Sequence, residues 1–92
     1  MKQYAIEAER AVEADVEAAF PGLGLEFLEE LRAAYHRILD HPLGYQDLRS
    51  GIRRALTRRF PYAVYFSIEE EAIVIVAVLS TARDPEEWQR RI

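Results

Sequence analysis

Ninety-two residues, half of them hydrophobic, carry a formal net charge of −4 and no cysteine. The length allows one domain with one modest core, and the composition is that of a globular chain rather than a disordered one. Without cysteine, disulfides, thiolate metal sites and thiol catalysis are excluded, and a reducing compartment is compatible.

The charge is unevenly placed. Residues 1–47 carry ten acidic and four basic side chains, residues 48–68 five arginines and no acid, and residues 69–92 six acids and three arginines. A chain acidic overall is not a general nucleic-acid binder, so no direct DNA binding is expected. Its basic block suits an acidic protein partner or an RNA contact.

In chain order, Lys2 to Glu7 alternates polar and apolar residues and reads as a short first strand. Ala8 to Ala19 is rich in alanine and glutamate, with Val12, Val16 and Ala19 or Phe20 at helical spacing, and predicts a first helix. Pro21-Gly22 stops it. Leu25 to Asp40 predicts a second helix, with Leu28, Leu31, Tyr35 and Ile38 as its apolar stripe and Leu25 and Leu39 widening it. The tight connection from Pro21 to Gly24 makes the two helices an antiparallel hairpin.

His41-Pro42-Leu43-Gly44 ends the second helix, and a loop runs to Ser50-Gly51. Three strands follow, at 52–59, 62–68 and 72–79, with Glu69-Glu70-Glu71 as a short hairpin connection between the last two. Asp84 is a good helix N-cap, with Pro85 at the first helical position, so a short terminal helix closes the chain. The expected fold class is α+β: a helical hairpin on one face of an antiparallel sheet, in the order β-α-α-β-β-β, with a short C-terminal helix. The longest apolar run, Ala72 to Leu79, falls far below the roughly 20 residues that span a bilayer, and Met1 to Tyr4 opens no secretory segment. A soluble cytoplasmic protein is expected.

Strand residues point alternately to opposite faces. Simple alternation puts Ile73, Ile75, Ala77 and Leu79 on one face of the last strand, with Val74, Val76 and Val78 on the other. One helical hairpin covers one face only. The second face, with Tyr65 and the valines, is left for the terminal helix through Trp88 or for another chain. Arg53 and Arg54 are adjacent, as are Arg58 and Arg59, so each pair places one guanidinium on each side of a continuous strand. These arginines serve either as solvated edge residues or as a basic rim that binds carboxylates or phosphates. His36 and His41 are five apart and lack the four-residue spacing of a helical metal pair; no metal and no cofactor is expected.

The run RRALTRRFPYAVYF from Arg53, followed by VAVLSTARDPEEW from Val76, with Pro-Gly-Leu-Gly before the long helix, resembles the ParE/RelE superfamily. These are toxins of bacterial type II toxin–antitoxin (plasmid stabilisation) modules. The layout is more similar to the ParE branch than to the RelE ribonucleases, and it covers nearly the whole chain. The resemblance implies a toxin that works by binding, with DNA gyrase as its target and a cognate antitoxin as its partner. A homodimer or a toxin–antitoxin hetero-oligomer is compatible with it.

By the same resemblance, Ala82 and Trp88 stand about where RelE-type ribonucleases hold a C-terminal arginine and an acid–base group. Indole N–H has no usable proton-transfer pKa, so RNA cleavage is disfavoured and no catalytic residue is assigned. Ser80 stands where many relatives carry histidine, and the first helix is about two turns shorter than theirs. The candidate antitoxin- or target-binding residues are Arg53, Arg54, Arg58, Arg59, Tyr65, Val76, Arg83 and Trp88. Two other functions stay open: a ribosome-dependent mRNA endoribonuclease, and a non-toxic binding or oligomerisation module.

Overall fold

The computed structural model describes residues 5–8, 24–81 and 89–90. Among the described residues five strands form one sheet: β1 (Ala5–Ala8), β2 (Asp47–Arg49), β3 (Ile52–Leu56), β4 (Tyr62–Glu69) and β5 (Ala72–Ser80). Their order is β1-β5-β4-β3-β2. One helix, α1 (Gly24–Asp40), packs on a single face and passes through a 3-10 turn at Pro42–Gly44 into β2. The α+β class is therefore as expected, with α1 and the β4–β5 hairpin in their anticipated places. Ala8, the expected start of the first helix, is instead the last residue of β1; the rest of that helix, 9–19, lies outside the described residues, as does the terminal helix apart from helical Gln89 and Arg90.

The sheet departs from expectation in three ways. β1 runs parallel to β5, from Ala5↔Ala72 to Ala8↔Ile75, so the sheet is mixed and only its other four strands are antiparallel. Where a loop was expected, Asp47–Arg49 forms an edge strand. It turns into β3 through Ser50 (φ 51°) and Gly51 (φ 84°), two successive positive φ angles that match a two-residue hairpin turn following the strand twist. The Asp47 carboxylate accepts from the Gly51 N–H at 3.2 Å and steadies that turn. Third, the strand expected at 52–59 ends at Leu56, because Thr57 and the residues after it leave the ladder for a turn.

A fourth difference redistributes side chains. Tyr65 pairs with Ala77 and Phe66 with Ile75, leaving Val76 as an extra residue in β5. Such a bulge reverses the alternation beyond it. Val78 therefore joins Ile73 and Ile75 on the α1 side, while Ala77 and Leu79 face away. The simple alternation expected for 72–79 is corrected accordingly.

The helix stripe holds at Leu31 and Ile38, with Tyr35 and Leu39 packed at its margin, but its first turn differs from expectation. Phe27, Leu31, Ala34 and Ile38 are buried, together with Glu30, whereas Leu25 is 65% and Leu28 39% exposed. Phe27 sets this phase by meeting Phe60 and Tyr62 edge-on, with ring centroids 5.5 and 5.0 Å away. The main core joins these helix residues to Ala55, Val64, Phe66, Ile73, Ile75 and Val78. Among the described residues, no helix is long and apolar enough to cross a membrane.

Candidate functional site

The sheet face turned away from α1 carries a second apolar cluster. Ala63 and Tyr65 form its floor, with Leu48, Ile52, Val76, Ala77 and Leu79 packed around them. Tyr65 is only 4% exposed, so it supports this surface more than it offers itself for contact. Leu56 pairs across with Ala63 and therefore projects on the same face, yet it is 57% exposed. Val76 is half-buried. A large aliphatic side chain thus stands in water at the end of β3, beside residues that shed it.

Register separates the two strand arginines. Arg53 pairs with Phe66 and so lies on the α1 side, where its guanidinium donates to the Tyr45 carbonyl. The Tyr45 ring in turn meets Phe66 edge-on at 5.6 Å. Arg53 is therefore a tie between the β2 approach and the core. Arg54 pairs with Tyr65 and lies on the opposite face, half-buried beside the second cluster. The alternation expected for this pair holds.

For Arg58 and Arg59 it does not, since both lie beyond the strand in the turn that links β3 to β4. That turn is tightly bonded. Thr57 N–H donates to the Tyr62 carbonyl at 2.9 Å, and its hydroxyl donates to the Phe60 carbonyl while accepting from Tyr62 N–H at 3.3 Å. Tyr62 N–H also reaches the Phe60 carbonyl at 2.8 Å across Pro61, a three-residue turn that suits proline's fixed φ. The Pro61 carbonyl accepts from Thr81 N–H at 2.7 Å.

From α1, Glu30 completes the turn. Its Oε1 accepts from Arg58 N–H at 2.6 Å and from Arg59 N–H at 3.3 Å. The Arg58 N–H is the main reason this carboxyl is held below the ordinary glutamate range. Burial opposes the shift, and Arg59 N–H and the charges of Arg37 and Arg59 add to it. The Arg59 guanidinium turns back toward α1, 3.7 Å from Glu26 and over the Phe60 ring at 5.9 Å. Both partners of that ion pair are well exposed, so it holds Arg59 weakly. Arg58 is exposed.

The structure thus brings Arg54, Leu56, Tyr65 and Val76 to one face, with the Arg58-Arg59 turn following directly on β3. Arg53 is placed on the other side, and Arg83 and Trp88 lie outside the described residues. At the far edge the Arg49 guanidinium donates to the Gln89 carbonyl at 3.2 Å, which brings that end of the chain beside β2. His36 and His41 are exposed, and among the described residues no group of three or more His, Cys, Asp or Glu could hold a metal ion.

The model of the family described as the ParE toxin of type II toxin–antitoxin systems, parDE, matches residues 6–85. The chain belongs to that family. Comparison with curated proteins finds no match. Membership makes the chain a ParE-type toxin of a toxin–antitoxin system and implies an antitoxin partner; ParE-family toxins are generally non-enzymatic. The matched span takes in all of the sheet but Ala5, together with α1 and the arginine-bearing turn. Two site residues escaped the sequence argument. Neither Leu56 nor Glu30 was singled out among the candidate residues. A signal for Glu30 does exist: it falls within the repeat Phe27, Leu31, Ala34, Ile38, where a carboxylate is out of place without donors.

Proposed function

We propose that this ParE-family toxin acts by binding DNA gyrase, without chemistry of its own, and is neutralised when its antitoxin lays an acidic-apolar segment over the sheet face opposite α1. The observation that carries the antitoxin half is Leu56, 57% exposed between the arginine-bearing turn and the half-buried Arg54. An apolar side chain flanked by guanidinium groups suits a segment that alternates aliphatic residues with carboxylates. In this reading Arg54, Leu56, Arg58 and Val76 make direct contact, Arg59 joins once released from Glu26, and Tyr65 supports the floor. Arg83 and Trp88, expected contacts from the sequence, lie outside the described residues. Arg53 holds the β2 approach.

Family membership supports the gyrase half, since ParE-type toxins generally lack enzymatic activity. The test pairs a gyrase supercoiling assay with mapping of message ends after induction. Inhibited supercoiling without new codon-specific ends is the expected result. Ribosome-dependent cleavage would replace this mechanism with the RelE type and make the arginines catalytic candidates. Silence in both assays, with antitoxin binding intact, would mark a non-toxic binding module.

A further inference from the structure

Arg58 and Arg59 lie past the end of β3, so their backbone N–H groups have no ladder partner there. Glu30 supplies the acceptor. Two consecutive N–H groups converging on one oxygen form the concave donor arrangement that binds anions, and here the anion comes from the protein itself, 28 residues earlier in the chain. Glu30 is 9% exposed, so its contact is made on the packed side of the turn, away from an incoming partner. The contact also has a directional consequence. With both amides pointing in toward Glu30, Arg58 projects to solvent while Arg59 turns back toward Glu26 and Phe60.

We propose that Glu30 is a positioning residue for the antitoxin-binding surface: by holding the Arg58 and Arg59 amides it sets the direction in which the Arg58 guanidinium is presented, and so controls antitoxin affinity without touching the antitoxin. This proposal rests on the binding function proposed above. It assigns Glu30 an effect that passes through Arg58 and not through the general stability of the fold. The Glu30→Gln substitution would keep a carbonyl oxygen able to accept from the same two N–H groups, whereas Glu30→Ala would leave both without a partner.

The experiment has two arms. Amide hydrogen exchange on the antitoxin-free chain reads the latch directly. Glu30→Ala is expected to cut protection at Arg58 and Arg59 by roughly tenfold or more, with β4 and β5 amides unchanged, and Glu30→Gln to keep most of it. The second arm is a double-mutant cycle of Glu30→Ala with Arg58→Ala, read as affinity for the co-encoded antitoxin. Glu30→Ala should weaken binding by about tenfold when Arg58 is present and by less than about threefold when it is absent.

Equal losses in both backgrounds would overturn the proposal and leave Glu30 a stability residue. Unchanged protection in Glu30→Ala would overturn it too. If Glu30→Ala does not fold, Glu30→Gln decides: low protection at both amides in a folded Glu30→Gln variant counts against the latch. Wild-type chain that binds no antitoxin would sink the binding function and the positioning role together, while the exchange arm would still report whether Glu30 holds the turn.

Discussion

The two faces of one sheet are built from the same three strands and come to opposite ends. On the α1 side Val64, Phe66, Ile73 and Ile75 are fully buried, closed over by Phe27, Leu31, Ala34 and Ile38. On the other side, among the described residues, Ala63 and Tyr65 are buried, Val76, Ala77 and Leu79 are half-exposed, and Leu56 stands in water. Nothing in the residue types separates them, because both faces are aliphatic and aromatic. What separates them is the cover. Among the described residues a helix phased by Phe27 seals one face, while the other carries Arg54, with the Arg58-Arg59 turn following on β3. Arg53 illustrates the division, since it falls on the sealed side and serves as a structural tie, while Arg54, one residue on, faces the open side.

The largest expected effect tests the sealed face. Phe66→Ala should cost about 3–5 kcal/mol of stability by denaturant unfolding, as expected for a fully buried aromatic. Leu56→Ala should stay within about 0.5 kcal/mol in the same measurement, yet weaken antitoxin binding. Comparable stability losses would erase the contrast between the faces. Next in size, Arg54→Glu or Arg58→Glu should loosen the antitoxin complex by at least about tenfold, equivalent to about 1.4 kcal/mol. Arg53→Ala should instead lower stability, leaving the Tyr45 carbonyl without its donor. If affinity is unchanged in both charge reversals, the arginines on the open side are ordinary surface residues.

A pH series sharpens the role of Glu30. Its folded pKa is lowered, chiefly by the Arg58 N–H, so its contribution to stability is present above the ordinary glutamate range. That contribution is lost as pH falls through the ordinary value toward the lowered one. The groups that face it are Arg37, Arg58 N–H, and Arg59 with its partner Glu26. Wild type should therefore be more stable than Glu30→Gln near neutral pH, and the gap should close on acidification; a constant gap would remove the carboxylate charge from the account. The smallest effect concerns a turn. Glu70 sits at φ 55°, where a side chain is strained, so Glu70→Gly should stabilise by up to about 1 kcal/mol in thermal unfolding. A clear loss would show that Glu70 makes a contact that outweighs its backbone strain.

Local chemistry was enough for much of this. Alternation and the three glutamates specified the β4–β5 hairpin, and helical spacing with its terminal glycine specified α1 nearly to the residue. The order RRALTRRFPYAVYF, with Arg83-Asp84-Pro85, carried the family, which the match over residues 6–85 then established. The helix and the hairpin are each written within fewer than twenty consecutive residues. Other features are not local. The Val76 bulge depends on register against β4, so it moved Val78 to one face and Ala77 to the other against simple alternation. That Phe27 and not Leu28 is buried in the first turns of α1 depends on where Phe60 and Tyr62 meet Phe27. β1 finds its parallel partner only across most of the chain, and Glu30 finds Arg58 only across 28 residues. Which arginine lies on the face away from α1 was therefore decided by pairing and packing between distant segments, where a one-residue change of register moves a side chain to the opposite face.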